Sequence, residues 1–223
     1  MAMHEHQWFV EAARLRADHL TLHSMMSGPP SASSLAKYDA IFFGGSGAFS
    51  VLDDTPWIRT SIETLLRVVD ARVPAYASCF GFQGLAIALD GEVIHDEEHT
   101  EMGSTEVFLT EAGAQDSLFA KLPPRFWVQE GHHDRVSRVP KAVEMIVGGD
   151  FCFEQAFRVR GAPFWASQFH PELTVQKTID RFHHYADYYL DPAEVQTELA
   201  KLESGLETRE VSDLLARVAY GEF

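Results

Sequence analysis

The strongest candidate for a covalent nucleophile in this sequence is one cysteine, Cys79, in the segment PAYASCFGFQGLA. An apolar, strand-like stretch (74–78) precedes it and a helix-like stretch (80–89) follows it. A sharp strand-to-helix turn would expose the thiol at the carboxyl end of a sheet, beside a helix N-terminus that favours the reactive thiolate. The turn needs small residues two positions away on each side, and Ala77 and Gly81 supply them. Because buried cysteines are common, it is the flanking pattern that predicts a nucleophile.

A thiol nucleophile needs a base, and the base needs a partner that orients it. The segment FWASQFHPELT puts His170 directly after a second apolar, strand-like stretch, with Glu172 two residues further on. Pro171 restricts the local backbone and keeps His170 out of a helix. Since the carboxyl ends of parallel strands meet at one rim of a sheet, we expect His170 to lie near Cys79.

These two motifs, at this separation, resemble those of the class I glutamine amidotransferases, most closely the GMP-synthase-like branch. The resemblance covers residues 7–189. That family carries a G-x-C-x-G turn, usually followed by a glutamine, and a downstream Q-F-H-P-E, which read ASCFGFQ and QFHPE here. The resemblance implies that Cys79 is the nucleophile, His170 the general base and acid, and Glu172 the carboxylate that orients His170.

A glycine-rich segment, GGSGAFSV (44–51), is similar to the family's G-G-P loop. The resemblance implies an oxyanion hole formed by the backbone N–H groups of Gly45 and Phe80. Two residues depart from the family pattern: Ser46 replaces the usual proline of the loop, and Ala77 replaces the first glycine of the cysteine turn.

Three further residues match the family's substrate-binding positions. Gln83 follows the nucleophile by four residues, and the segment EGHHDRV, which is similar to the family's S-H-G-D-x-V, places His132 and Asp134 at the matching positions. No cofactor is expected. No metal is expected either, because the adjacent His132 and His133 point in different directions and no further ligand cluster is evident in the sequence.

Strand-like and helix-like stretches alternate along much of the chain. They predict an α/β fold, a doubly wound, mostly parallel sheet flanked by helices, of the flavodoxin-like type that the resemblance implies, with antiparallel additions. One domain (1–223) is expected, with a C-terminal helical extension (190–223). The predicted helices are 7–17, 55–72, 80–89, 174–189 and a segment from about 192, and the predicted strands are 19–25, 39–43, 74–78, 92–95, 104–110, 143–148, 153–159 and 163–169.

The family's first strand, normally central in its sheet, has no counterpart ahead of Gln7. Either Met1 is not the natural start, or the segment HLTLHSM (19–25) is rearranged to fill the gap. A missing central strand would expose apolar sheet edges and favour pairing with another chain, so a homo-oligomer is expected.

Composition narrows the range of partners. The formal net charge of −15 opposes binding to nucleic acid. No apolar run is long enough for a membrane span, no secretory signal is present, and only two cysteines occur, which together predict a cytoplasmic protein. No phosphate-binding G-x-x-x-x-G-K-[ST] loop appears, so the chain would either deliver ammonia to a separate synthetase or acceptor subunit or act alone.

The sequence therefore predicts hydrolysis of the side-chain amide of L-glutamine with release of ammonia. Two alternatives stay open at this point. One is a gamma-glutamyl hydrolase, which would use the same three residues on a substrate with a larger leaving amine. The other is a catalytically silent homologue that takes part in an interaction with another protein.

Overall fold

The computed structural model describes residues 2–189, 192–206 and 210–223. The helices are α1 (Ala2–Ala12), α2 (Ala32–Leu35), α3 (Pro56–Ala71), α4 (Phe80–Ala88), α5 (Val175–Tyr189), α6 (Pro192–Glu203) and α7 (Leu214–Tyr220). The strands are β1 (Ile41–Phe43), β2 (Ala75–Ser78), β3 (Glu92–His95), β4 (Glu101–Leu109), β5 (Arg125–His132), β6 (Asp134–Arg138), β7 (Val143–Gly149), β8 (Ala156–Val159) and β9 (Phe164–Ser167).

Seven strands form the main sheet, in the order β1-β2-β9-β8-β7-β4-β5, and β3 pairs with β6 in a small second sheet. The pairs β1–β2 and β2–β9 are parallel, whereas the strands from β8 to β5 join by antiparallel pairing. The expected fold class, an α/β sheet flanked by helices with antiparallel additions, is confirmed, but the sheet is mixed and not mostly parallel, because four of the six strand pairs in the main sheet are antiparallel. The parallel part is confined to three strands, and all three end at the same rim.

Alternation along β2 and β9 divides the apolar core between the two faces of the sheet. Ala75, Ala77 and Phe164 pack on one face with residues of α3 and α4. Tyr76 and Trp165 are each the next residue along their strands, so they pack on the other face, with residues of α1 and α7. Both strands are completely buried, which explains why they read in the sequence as continuous apolar runs.

The C-terminal helices pack against the rest of the chain. Leu202 of α6 is buried against Phe182 of α5, and Leu215 and Val218 of α7 lie in the core beneath the sheet. Val195 and Leu199 of α6 pack against the same pair, so the apolar side of this helix faces the rest of the chain. None of the helices that the structure describes is long and apolar enough to cross a membrane.

Several local predictions were wrong. The first helix runs from Ala2 to Ala12 and not from 7 to 17, because Arg14 adopts a left-handed conformation (φ 52°) that ends it. The segment 19–25 forms no strand: its side chains are largely exposed, as at Leu22, so the alternation of apolar residues serves no buried face. Thr55 precedes α3 as expected, but its hydroxyl makes no capping hydrogen bond.

Two strands, β5 and β6, were missed altogether. Polar residues such as Gln129 and Glu130 interrupt the apolar pattern of β5, although both side chains are buried. Their burial depends on tertiary partners that a sequence pattern does not reveal.

Candidate active site

Cys79 occupies a strained turn between β2 and α4. Its backbone has φ 50° and ψ −104°, a conformation that residues other than glycine rarely adopt. The Cys79 N–H donates to the carbonyl of Ser167 at 2.8 Å, which fastens the turn to the end of β9. A Cβ at Gly81 would lie 2.9 Å from Phe43 Cβ and 3.0 Å from Ala77 Cβ, so the turn is compact enough to require a glycine there.

His170 and Glu172 form a buried pair just beyond the end of β9. The two atoms His170 Nδ1 and Glu172 Oε1 are 2.7 Å apart, and both side chains are almost fully removed from solvent. Burial by itself raises the pKa of Glu172, but the adjacent His170 outweighs it and holds that pKa below its ordinary value. Glu172 is therefore a carboxylate, which means that His170 carries its proton on Nδ1.

Gly45, at the end of β1, brings the other groups together. A Cβ at this position would lie 2.7 Å from His170 Cε1, 2.9 Å from Arg181 Nη2 and 3.5 Å from Cys79 Cβ. The imidazole, a guanidinium and the thiol-bearing carbon therefore surround one glycine, and no other residue leaves enough room. The three loops that follow β1, β2 and β9 thus converge at the rim of the sheet.

Arg181 of α5 is a residue that sequence reasoning missed. Its Nη1 lies 2.7 Å from His170 Nε2 and 3.2 Å from Nδ1, and its Nε lies 3.8 Å from a carboxylate oxygen of Glu5. Since Nδ1 donates to Glu172, the lone pair of Nε2 accepts from the guanidinium. Burial, followed by the positive charge of Arg181, lowers the pKa of His170 below its ordinary value and keeps the ring neutral.

The Cys79 thiol is buried in the same place. Burial raises the pKa of this thiol to about 12, although the charge of Arg181 and the Phe80 backbone N–H both act in the opposite direction. The sequence-based expectation that the helix N-terminus favours the thiolate is therefore outweighed by desolvation. The Cys79 sulfur lies 3.9 Å from the Gly131 carbonyl oxygen, which the thiol faces as a weak donor.

The three residues matched to substrate binding lie beside this cluster but are engaged within the protein. Gln83 Nε2 donates to the Asp134 carbonyl at 2.7 Å and to Gln168 Oε1 at 3.2 Å. The Asp134 carboxylate accepts from the Ser50 hydroxyl, which ties the glycine-rich loop to β6. Both residues also line a cavity beside the thiol, and their assignment to substrate binding stays a prediction.

His132 is buried and turns toward a pair of carboxylates. Its Nδ1 lies 3.0 Å from the Asp134 carbonyl and its Nε2 lies 3.1 Å from Glu101 Oε2. Glu101, Glu130 and His132 bring their ligand atoms within 4.8 Å of one another. No sequence pattern indicated this cluster, because Glu101 is about thirty residues from the others and β5 was not predicted.

Gln129 connects several segments to the backbone of His170. Its carbonyl accepts from the His170 N–H at 2.9 Å, and its Oε1 accepts from Thr178 of α5 at 3.0 Å. Its Nε2 donates to Ser104 Oγ at 3.0 Å and to the Leu206 carbonyl at 3.2 Å. One buried amide thus joins β4, α5 and the segment after α6 to the loop that carries His170.

A cavity of about 320 Å³ opens beside the thiol. It runs between the glycine-rich loop and the ends of β5 and β6, with Cys79 and Phe80 at one side and His95 and His133 at the other. This volume is within the range of small-molecule sites. The second cysteine, Cys152, is also buried, and its sulfur lies 3.3 Å from the His99 carbonyl.

Comparison with known proteins relates the chain to amide-transferring enzymes. One of them, a subunit of the glutamine-hydrolysing GMP synthase of Methanocaldococcus jannaschii, is 29% identical over 123 residues, which are 55% of this chain and 63% of that protein. The glutamine-hydrolysing GMP synthase of Actinobacillus succinogenes is 34% identical over 118 residues, 50% of this chain and 22% of that protein. The chain thus matches less than two thirds of the length of either relative.

A crystal structure of a glutamine amidotransferase from Methylobacillus flagellatus superimposes with a TM-score of 0.69, at 21% identity, over 96% of this chain and 88% of that one. At this identity the likeness shows the fold alone. The family model for glutamine amidotransferase class-I matches residues 11–183, well over half of the sequence. The chain therefore belongs to the class I glutamine amidotransferase family.

Proposed function

We propose that this chain hydrolyses the side-chain amide of L-glutamine through Cys79, His170 and Glu172. The Cys79 sulfur attacks the carboxamide carbon while His170 Nε2 takes the thiol proton, and a C–S bond forms. His170 returns that proton to the nitrogen, the C–N bond breaks, and ammonia leaves. Water, deprotonated by His170, then attacks the thioester, and glutamate departs as the Cys79 thiol is restored.

The observation that carries this proposal is the 2.7 Å pairing of His170 Nδ1 with Glu172 Oε1, next to a cysteine in a strained turn. The carboxylate fixes the tautomer that leaves Nε2 unprotonated, which is the form a general base needs. In this mechanism the backbone N–H groups of Gly45 and Phe80 stabilise the oxyanion.

The proposed reaction requires Arg181 to move, because its guanidinium is hydrogen bonded to the proposed base. While its guanidinium donates to His170 Nε2, the base has no free lone pair for the thiol proton. Catalysis therefore requires Arg181 to leave that position, and we propose that docking of a separate synthetase subunit, the acceptor of the ammonia, displaces it. The archaeal relative is itself one subunit of a GMP synthase, which supports such an arrangement.

The test is glutamate release from L-glutamine by the purified chain, with Cys79→Ala alongside, measured with and without the separately expressed synthetase subunit of the same organism. We expect weak release that the synthetase subunit increases at least tenfold, and none from Cys79→Ala. Release that is equal in the wild-type chain and in Cys79→Ala would refute the role of Cys79. Absence of release from the wild-type chain under both conditions would refute glutamine hydrolysis.

One observation favours a second candidate, hydrolysis of a larger gamma-glutamyl amide. The cavity of about 320 Å³ is lined by His95 and His133 as well as by Cys79 and the glycine-rich loop, so a leaving amine larger than ammonia has room beside the thiol. A comparison of kcat/KM for L-glutamine and for gamma-glutamyl dipeptides separates the two. A preference for the dipeptides of tenfold or more would assign the chain to gamma-glutamyl hydrolysis, and a preference for glutamine would exclude it.

A further inference from the structure

A second cluster of polar side chains lies behind the candidate active site, on the antiparallel pair β4–β5. Glu101 is directly opposite His132 in the register, and Glu130 is two residues before His132, so all three side chains project from the same face of the sheet. Their side chains are between 0 and 4% exposed. Two carboxylates and an imidazole are thus buried together.

The hydrogen bonds of His132 define which of its nitrogens is free. Its Nδ1 lies 3.0 Å from the carbonyl oxygen of Asp134, which accepts only, so Nδ1 carries the proton. A neutral ring then presents the lone pair of Nε2 to Glu101 Oε2, 3.1 Å away, and to Glu130 Oε2, 3.6 Å away. With both carboxylates charged, three acceptors face one another, and either protons or a metal cation must lie among them.

A single proton does not satisfy this arrangement. Placed on Nε2, it would bridge His132 and Glu101, but both oxygens of Glu130 would still lack a hydrogen-bond donor among the described residues. Placed on Glu130 instead, it would leave the Nε2 lone pair facing the carboxylate of Glu101. A buried carboxylate without donors is strongly unfavourable. A divalent cation at the centre would contact all three side chains at once.

The spacing fits a transition metal. Zinc binds histidine nitrogen and carboxylate oxygen at about 2.0–2.1 Å in a tetrahedral arrangement, which separates neighbouring ligand atoms by about 3.3 Å. The observed separations of 3.1 and 3.6 Å bracket that value. The surroundings fit as well, because a metal-bound histidine usually donates its other N–H to a carbonyl, and ligating carboxylates are themselves hydrogen bonded, as Glu101 Oε2 is to Gln155 Nε2 at 2.7 Å.

We propose that Glu101, Glu130 and His132 bind a divalent transition-metal ion, Zn²⁺ by preference, with one tetrahedral position left for a water molecule or another oxygen. The sequence-based expectation that the chain has no metal site is revised accordingly. The ion has a structural role: Gly131, which lies between two of the ligands, forms the wall that the Cys79 sulfur contacts at 3.9 Å. Metal binding at this place fixes β5 behind the thiol.

The test is equilibrium binding of zinc alone to the whole chain. The protein is stripped with a chelator, checked for folding by circular dichroism, and titrated with Zn²⁺ against a chromophoric competitor. We expect one zinc ion per chain, and a thermal midpoint that rises on binding. No zinc bound by the folded wild-type chain would overturn the proposal.

Variants locate the bound ion. Glu130→Gln and Glu101→Gln are each expected to weaken zinc binding at least tenfold, because each removes a charged ligand. Glu106→Gln is the matched control: it makes the same change on the same strand, at an exposed residue that pairs with Arg125. Affinity unchanged in Glu130→Gln would overturn the proposal and assign the metal to another site.

X-ray absorption on the zinc-loaded wild-type protein gives a readout that does not depend on the folding of any variant. We expect a shell of nitrogen and oxygen at about 2.0 Å with a single imidazole. A sulfur shell at about 2.3 Å, or two or more imidazoles, would overturn the proposal, since they indicate a cysteine or the surface histidines around His95 and His133.

Discussion

Arg181 Nη1 lies 2.7 Å from His170 Nε2, the ring nitrogen that Glu172 leaves available. A hydrogen bond from a permanently charged guanidinium competes directly with a thiol for that lone pair, because both donate to the same atom. In the structure, the Nε2 lone pair of His170 therefore already accepts a hydrogen bond from Arg181. Whether this contact restrains the chemistry or supports the thiolate is a question that one substitution answers.

Replacing Arg181 with Met keeps an apolar stem of similar length and removes the guanidinium. Two effects oppose each other: the loss of positive charge disfavours the Cys79 thiolate, and the release of Nε2 restores the proton acceptor. We expect the second effect to dominate, because no proton transfer occurs without an acceptor, and glutaminase activity of the isolated chain should rise at least about tenfold. Initial rates of glutamate release measure this.

The control for that experiment is Arg67→Met, which removes an equal charge from the exposed surface of α3, where Arg67 pairs with Glu63. It should leave the rate unchanged. A loss of activity in Arg181→Met, with the control unaffected, would mean that Arg181 stabilises the thiolate or the oxyanion and does not restrain the base.

Replacing Glu172 with Gln tests the orienting carboxylate. The amide keeps the shape but removes the charge that holds the proton on Nδ1, so His170 is free to adopt the other tautomer. We expect kcat to fall about 10²-fold or more, with KM little changed, because Glu172 does not line the cavity. Steady-state kinetics measure both constants, with the exposed Glu63→Gln as the control. A rise in KM at constant kcat would instead point to a role in substrate binding.

The acid limb of the activity profile should reflect His170. Its folded pKa lies below the ordinary value of 6.5, since burial and then Arg181 disfavour the charged ring. The neutral base form therefore persists to lower pH than for an exposed histidine, and kcat/KM should stay level as the pH falls through 6.5 before it declines. In Arg181→Met the second of these causes is gone, so the decline in kcat/KM should begin at higher pH. If the acid decline in kcat/KM falls at the same pH in both proteins, Arg181 does not contribute to the lowered pKa of His170.

Alkylation of Cys79 by iodoacetamide should follow its raised pKa. With the pKa at about 12, the thiolate fraction increases about tenfold per pH unit, so the alkylation rate should rise about 100-fold between pH 7 and pH 9 without levelling. Peptide mapping by mass spectrometry separates Cys79 from the buried Cys152. A plateau below pH 8.5 would show that the thiol ionises far more readily than its burial implies.

The tight turn at Cys79 predicts a cost for the smallest substitution beside it. In Gly81→Ala the new Cβ would meet Phe43 Cβ at 2.9 Å and the Phe43 carbonyl at 3.2 Å, and these backbone-linked atoms cannot swing away. Overpacking costs about 1–3 kcal/mol and the better helix propensity of alanine returns at most about 1 kcal/mol, so the free energy of unfolding should fall by about 1–2 kcal/mol.

Gly131→Ala is the matched change for that measurement. A Cβ at Gly131 meets nothing within 4 Å, and urea unfolding should place this variant within about 0.5 kcal/mol of the wild-type chain. Equal stability of the two alanine variants would show that the turn yields more easily than its contacts suggest.

Local signals made half of the site predictable. Cys79 and His170 each follow a short apolar strand, and the turn around Cys79 carries small residues, so both their positions and their convergence follow from the parallel arrangement. The roles assigned to them remain predictions. The same applies to the extent of the single domain and to the expected homo-oligomer.

The other half depends on tertiary packing. Arg181 belongs to a helix whose sequence is amphipathic. That pattern does not indicate which of the polar residues of the helix lies next to Cys79 and His170. Glu130 and Gln129 are buried polar residues of a strand that does not alternate, so the strand itself was missed. Such residues are invisible to pattern analysis because their partners come from distant segments.

Gln129 shows what such a residue implies for handling the protein. Its amide nitrogen donates to the carbonyl of Leu206, and its backbone carbonyl accepts from the N–H of His170, so the segment after α6 and the loop that carries His170 are both bonded to one strand residue. A fusion partner, an affinity tag or a proteolytic nick near residue 206 would therefore disturb the register of the imidazole, although it lies outside the cavity. A loss of activity during storage should therefore first be traced to cleavage near this segment.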